Sequence, residues 1–315
     1  MPRPNLRFLL FAVLLTAVSS HAQYKGTHLP GLIGLQAGTQ APPGIYVGDI
    51  VFVYDTSTLK GDSGRQVNLN GGITTSADII LVNWVTNYKL LGGNVGGSAG
   101  FPFMKNRLQL NSFDAATNLA YTDMFISPLT LGWHFKRTDL MVGYNLYIPT
   151  GKFKPSGVNT GLGMYGHELS LGTTVFLDKK RMWHAAGNFA LEFHTHKRGE
   201  DITVGDLGTI EGGIGRTFYK KLDGPIPLVS NLGLVGYSQF KVTGDNGRDI
   251  PLPLRGLKDR AFALGPEFNV FIPKPRLSLL ARWEPEFGAR NRTQGQTFVF
   301  SIVWVAKSFE RQPNP

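Results

Sequence analysis

Residues 183–196 read WHAAGNFALEFHTH and alternate in character from one residue to the next. Phe189 and Phe193 share one face of an extended chain, whereas Glu192 and His194 share the other, because successive side chains of a β-strand point to opposite sides. One face is therefore apolar and the other polar. A strand of about ten residues with this pattern is long enough to cross a bilayer when it is tilted.

The same alternation recurs in twelve segments between residues 46 and 309, and no long segment has the spacing of an amphipathic helix. The first, second and last segments alternate less clearly, so ten or fourteen strands remain open. The pattern predicts an all-β fold, a transmembrane antiparallel up-and-down β-barrel of about twelve strands. The predicted strands are 46–55, 78–89, 93–104, 122–136, 139–148, 165–177, 183–196, 204–219, 229–242, 260–272, 276–287 and 296–309.

The composition excludes several other classes of protein. The 315 residues include no cysteine, which excludes a disulfide scaffold and a Cys-ligated metal site. The net charge is +10, but the basic residues are scattered rather than clustered, so nucleic acid is not an expected partner. A secreted β-sandwich is disfavoured, because its closed core would bury the polar faces of the strands without partners.

The N-terminus has the pattern of a signal peptide. Two arginines precede the apolar run 8–18, and small residues stand at Ser20 and Ala22. The apolar run is too short to span a bilayer as a helix, which takes about 20 residues. The sequence therefore predicts that residues 1–22 are removed and that the protein is exported.

The rest of the chain is predicted to have three parts. Residues 23–45, with several prolines and glycines, are a periplasmic lead-in or a plug; residues 46–309 form the outer-membrane barrel; residues 310–315 are a short C-terminal tail. Short connections alternate with long polar ones, as periplasmic turns alternate with external loops in outer-membrane barrels. This places both termini in the periplasm, although connection 220–228 is long for a periplasmic turn. The long external loops are predicted at 56–77, 105–121, 149–164, 244–259 and 288–295.

Three short motifs in order, YTDM at 121–124, PLTLGW at 128–133 and YIPTG at 147–151, resemble the bacterial outer-membrane family named for the meta-pathway (MetA-pathway) of phenol degradation. The resemblance covers roughly residues 46–309, with Thr122 where the family commonly has glycine. It implies an outer-membrane barrel, linked to the breakdown of aromatic or other apolar compounds, that admits such compounds. It implies no catalytic or binding residue.

The expected function is an outer-membrane channel for passive uptake of small apolar or aromatic compounds, and not an enzyme. The expected partners are these solutes, outer-membrane lipid and lipopolysaccharide, and the barrel assembly machinery; no cofactor is expected. Two alternatives stay open, a non-conducting structural barrel and an outer-membrane hydrolase with its active site at the rim. The polar faces supply candidates for lining the lumen and setting its selectivity: Glu168, Glu192, His194, His196, Glu267, Arg282 and Glu284.

Two motifs imitate active-site signatures. GGSAG at 96–100 matches the G-x-S-x-G nucleophile elbow, and GLGMYG at 161–166 matches a nucleotide-binding glycine pattern. Both signatures need a strand that turns into a helix, and the sequence predicts a strand for the first and an external loop for the second. The spacing of Glu192, His194 and His196 on one face would also suit a metal ion, but mutual hydrogen bonding of lumen groups is the favoured interpretation.

Overall fold

The computed structural model describes residues 25–309 except 68–70, 111–112, 156, 223, 225 and 251–255. The predicted signal peptide at 1–22 and the predicted tail at 310–315 lie outside the described residues. Within the described ranges, no helix is long and apolar enough to cross a membrane.

Twelve long antiparallel strands of the described chain form one sheet that closes on itself, since the last strand pairs with the first. Closure leaves no free strand edge, which the interior of a bilayer requires. Three short strands, Gln66–Val67, Phe113–Ala116 and Ala120–Tyr121, pair with long ones. The barrel strands are β1 (Gly44–Lys60), β2 (Gly71–Leu90), β3 (Gly93–Leu110), β4 (Met124–His134), β5 (Thr138–Ile148), β6 (Gly166–Phe176), β7 (Trp183–His194), β8 (Leu207–Lys220), β9 (Leu228–Lys241), β10 (Arg260–Ile272), β11 (Leu277–Arg290) and β12 (Arg292–Ser308).

Each predicted strand coincides with one barrel strand, which confirms the fold class. Three of the predicted loops, 56–77, 105–121 and 288–295, are wrong because much of each is strand. β1, β2, β3 and β12 have 17 to 20 residues, whereas about 9–11 suffice to cross a bilayer. The long hairpins therefore extend further than the membrane requires, and a single residue, Asn291, joins β11 to β12.

The connections at the two ends of the barrel differ in length. At one end, called here the short-turn end, the connections span two to seven residues, and β1 begins and β12 ends there. Connection 221–227 is among them, so the long turn expected near 220–228 is present. The other end, the long-loop end, carries the longer connections, such as 149–165 and 242–259.

The two faces of the barrel differ in polarity as the alternation predicts. On the outer face Phe189 is 43% exposed, Ile210 49% and Phe300 52%. On the inner face polar and charged side chains are buried, among them Asn188 and Glu192. An apolar exterior with a polar interior is the arrangement that a bilayer imposes on a barrel.

The Gly-rich stretch 96–100 lies within β3. Because no strand-to-helix turn surrounds Ser98, the nucleophile elbow does not form. The second glycine motif, 161–166, lies in the connection before β6, as expected for a loop.

Candidate functional site: the lumen

Residues 25–43, called here the inner segment, lie inside the barrel. At the long-loop end, Lys25 Nζ donates a hydrogen bond to Thr293 Oγ1 at 3.3 Å. At the short-turn end, Thr39 Oγ1 donates to Asp139 Oδ2 at 3.0 Å. The inner segment therefore runs the length of the lumen before the chain enters β1.

Three glutamates on neighbouring strands project into the lumen and form what is called here the carboxylate cluster: Glu168 on β6, Glu192 on β7 and Glu211 on β8. Each is at most 2% exposed. Glu168 and Glu192 lie directly opposite each other in the register of β6 and β7. Like charges at such positions destabilise a sheet, so the cluster needs donors or positive charge close by.

The imidazole of His28 lies between two carboxylates of the cluster. His28 Nδ1 is 2.7 Å from Glu168 Oε2, and Nε2 is 2.9 Å from Glu211 Oε2. Both ring nitrogens are donors only in the imidazolium form, so this geometry suits a cation. Asn145 Nδ2 and the Tyr147 hydroxyl also donate to Glu168, at 2.6 and 3.1 Å.

Backbone donors of the inner segment complete the contacts of the cluster. The backbone N–H of Thr27 and its hydroxyl both donate to Glu192 Oε1, the hydroxyl at 2.5 Å. The N–H of Gly31 donates to Glu211 Oε1 at 2.5 Å. On the wall, His194 Nε2 lies 2.6 Å from Glu192 Oε1. Bonds to ionised groups are stronger than neutral ones, so these contacts hold the inner segment firmly.

A second group of charges lies on β10 and β11. Arg282 donates to Glu267 Oε2 from Nε at 2.9 Å and from Nη2 at 2.5 Å, and Nη1 donates to the carbonyl oxygen of Gly31. Glu284 is fully buried, and neither of its carboxylate oxygens has a hydrogen-bond partner among the described residues. Gly31 has φ +94°, and a Cβ there would lie 2.7 Å from Glu284 Oε2, so the close approach requires glycine.

The opposite side of the lumen carries an apolar cluster. Leu29 and Leu32 of the inner segment pack there against a buried cluster on β1, β2 and β12. The inner segment therefore presents donors to the acidic side and leucines to the apolar side. The cluster, called here the apolar strip, consists of Phe52, Tyr54, Ala77, Ile79 and Val299.

Six of the seven residues proposed from sequence are buried or nearly buried on the inner wall, and the seventh is not. β7 ends at His194, and His196 lies in the following connection with its side chain 56% exposed. The chain leaves the barrel there and His196 pairs with Thr203 instead, so the expected shared face of Glu192, His194 and His196 does not form. In the part of the chain that the structure describes, no three His, Asp or Glu side chains are grouped to hold a metal ion.

His196 borders a cavity of about 390 Å³ at the long-loop end. His196 Nδ1 lies 3.2 Å from Thr203 Oγ1, and Nε2 lies 3.7 Å from Asp201 Oδ1. The second distance exceeds a hydrogen bond, and the Asp201 carboxylate bonds instead to Arg248, which lowers the pKa of Asp201. Among the described residues, the ring of His196 therefore has a hydrogen bond to Thr203 and none to a carboxylate.

Sequence reasoning missed His28, Thr27 and Gly31 because they precede the first strand. The sequence did contain one signal. The inward faces of the predicted strands carry more glutamates than basic residues, so their carboxylates need hydrogen-bond donors from another part of the chain. Glu211 is also absent from the seven residues proposed from sequence. The structure places Glu211 inward and Arg216 over the ring of Trp183, at 5.4 Å from its centroid.

Residues of two of the three motifs that resemble the family hold a loop in place. Asp123 accepts hydrogen bonds from the backbone N–H groups of Gly151 at 2.9 Å and Leu162 at 2.6 Å. Burial raises the pKa of Asp123. A Cβ on Gly161 would lie 2.9 Å from the Cα of Gly151, so the two glycines let the ends of the loop approach closely. The first and third motifs therefore fix the connection between β5 and β6.

A closed twelve-stranded antiparallel barrel with an apolar exterior and a polar lumen defines the class of outer-membrane β-barrels, and this fold fits a location in the bacterial outer membrane. The family model described as "Putative MetA-pathway of phenol degradation" matches residues 56–302. The chain belongs to this family, as the three motifs predict. A comparison with curated protein sequences gives no match.

Three solved structures align with most of the chain. The COG4313 outer membrane channel from Pseudomonas putida F1 aligns with a TM-score of 0.69 and 12% identity, over 88% of this chain and 99% of that one. The beta domain of the Bordetella autotransporter BrkA aligns at 0.46 and 13%, over 83% and 99%. The CymD monoaromatic hydrocarbon channel aligns at 0.41 and 9%, over 86% and 90%. At 12% identity, the TM-score of 0.69 with the COG4313 channel shows a common fold.

Proposed function

We propose that this protein is an outer-membrane channel that admits small apolar and aromatic compounds by passive diffusion, for their breakdown inside the cell. Membership of the family supports the link to aromatic compounds. The observation that carries the proposal is the apolar strip inside an otherwise polar lumen. An apolar solute gains free energy by leaving water for such a surface, at roughly 25 cal/mol per Å².

In this proposal the route of the solute through the lumen follows the apolar strip. Leu29 and Leu32 cover it in the described arrangement, and the inner segment continues into the barrel wall at Gly44. Its contacts with the wall are hydrogen bonds, ion pairs and side-chain packing, so a shift of the inner segment breaks these contacts but leaves the sheet closed. A shift of these two leucines exposes the strip to a solute.

The exterior fits the proposed surroundings. Its apolar side chains suit outer-membrane lipid and lipopolysaccharide, and a barrel of this kind reaches the membrane through the barrel assembly machinery. No catalytic step is assigned to the protein.

The proposal is tested by uptake of labelled toluene or phenol into liposomes that contain the purified protein, with empty liposomes and a sugar as controls. Faster entry of the aromatic solutes alone is expected. Val299→Thr adds a hydroxyl to the apolar strip at constant shape and slows their entry about fivefold, on the order of 1 kcal/mol. The matched control is Val51→Thr on the outer face, which leaves the flux unchanged.

A non-conducting structural barrel is the second candidate function, and the inner segment along the lumen is the observation that favours it. Absence of flux for every solute, both in the wild type and in variants that loosen the inner segment, would establish this candidate and refute the channel.

A further inference from the structure

We infer that the carboxylate cluster is a binding site for small planar organic cations of the imidazolium or amidinium type, and that the inner segment occupies it with His28 as a tethered ligand. The inference goes beyond the uptake of apolar compounds. It concerns binding at Glu168, Glu192 and Glu211, and only its extension to transport rests on the proposed function.

The carboxylate cluster matches the shape and the donors of its present occupant, the imidazole of His28. Glu168 Oε2 and Glu211 Oε2 receive the two ring nitrogens of His28 from opposite sides, at 2.7 and 2.9 Å. A planar cation with N–H donors on two edges reproduces these contacts. A neutral ring of the same shape supplies at most one donor to the two carboxylates.

The carboxylate cluster has more negative than positive charge close to it. Among the described residues, the basic side chains that contact the cluster are His28 and His194, against three buried carboxylates. Loss of His28 leaves two carboxylates buried without a cationic partner, which is strongly unfavourable. In the absence of His28, the carboxylates of the barrel wall therefore favour binding of another cation at the same position.

Further polar groups lie beside the cluster. Both amide atoms of Asn188, which is 2% exposed and lies opposite Glu211 in the register of β7 and β8, lack a partner among the described residues. The same holds for the carboxylate oxygens of Glu284, which lies against Gly31. These buried groups supply further acceptors and one amide donor to a ligand larger than imidazole, such as benzamidinium.

The decisive experiment replaces the tethered ligand by a free one. His28→Ala removes the imidazole, and calorimetry then measures binding of imidazole at about pH 6, below its unperturbed pKa. We expect the His28→Ala protein to bind imidazole at least tenfold more tightly than the wild type. Pyrazole, which has the same shape but stays neutral, should bind at least tenfold more weakly than imidazole.

Second substitutions identify the groups that bind. In the His28→Ala background, Glu168→Gln or Glu211→Gln should each weaken imidazole binding at least tenfold. Glu286→Gln is the matched control, because this buried lumen carboxylate bonds to Tyr54 and Tyr237 and not to the cluster. Equal weakening by all three, or equal binding of imidazole and pyrazole, would overturn the inference.

Folding provides a second readout in case His28→Ala is unstable. Imidazole at the same pH should raise the yield of its folded, heat-modifiable form at least threefold over pyrazole, and an equal yield with both compounds would count against the site. Liposome flux separates this inference from the proposed function. Toluene uptake without cation binding refutes only the site, whereas cation binding without uptake of any solute refutes only the channel.

Discussion

His28 Nδ1 lies 2.7 Å from Glu168 Oε2, although 140 residues separate the two in the chain. The contact forms because β6 places Glu168 on the inner wall while the inner segment carries His28 along the lumen. The contact therefore exists only while the inner segment lies within the barrel.

His28→Ala should raise the ion conductance of single channels in planar bilayers. The substitution removes two charge-assisted hydrogen bonds, each worth about 1.5–3 kcal/mol, so the displaced inner segment becomes at least roughly tenfold more populated. His167→Ala is the control, since His167 bonds to Tyr144 rather than to the inner segment. Identical conductance of both variants would show that His28 does not hold the inner segment in place.

Arg282→Met should destabilise the protein by about 3–5 kcal/mol, because it leaves Glu267 buried without its cation. Unfolding in urea, followed by loss of heat modifiability, measures the effect. The double variant Arg282→Met/Glu267→Met should recover most of the lost stability. If the double variant is as unstable as Arg282→Met, the loss of stability does not come from the unpaired charge of Glu267.

Phe189→Arg should impair insertion into the membrane by about 2–4 kcal/mol, the cost of an arginine near the midplane of a bilayer. Phe189 is exposed on the apolar outer face of β7. Folding into liposomes measures the cost, with Phe189→Leu as the apolar control. An arginine tolerated as well as leucine would mean that this face does not contact lipid.

Asp123→Ala should loosen the connection between β5 and β6, because two backbone N–H groups lose a charged acceptor worth about 1.5–3 kcal/mol per bond. Trypsin should then cleave faster after Lys152 in this connection. Asp114→Ala, which removes an exposed ion pair with Arg107, should leave the rate unchanged. Unchanged cleavage in Asp123→Ala would contradict the role assigned to the motif.

Lys197 should make the stability depend on pH above neutrality. Burial lowers its pKa to about 8, below its value in the unfolded chain, so the unfolded state binds more protons between the two values. The free energy of unfolding therefore rises with pH from about 8 to about 10.5.

The wild-type Tm should gain a few degrees relative to Lys197→Met between pH 7 and pH 10, at roughly 2 °C per kcal/mol. Lys179→Met, on the turn after β6, is the exposed control and should show no such change. A constant difference between wild type and Lys197→Met would contradict the lowered pKa.

Local patterns were sufficient for the strands. Period-two alternation, as in Trp183 to His194, depends only on which side of a strand each residue occupies, so the sequence alone predicts strand positions, an apolar exterior and the inward direction of Glu192 and Glu284. The ends of strands were less accurate. Nothing in the alternation indicates that β1 to β3 extend beyond the bilayer or that β7 ends before His196.

The sequence by itself determined the class of barrel and the polarity of its two faces, because these follow from residues close together in the chain. Only the tertiary structure decided what fills the lumen. The contacts of His28 with Glu168 and Glu211, and of Leu29 with the apolar strip, join residues that meet only when the sheet closes around the inner segment. The period of the alternation and the composition carry no information on such contacts. The alternation fixes the face on which a wall residue lies, because any polar or apolar residue fits it, but it does not fix the partner of that residue.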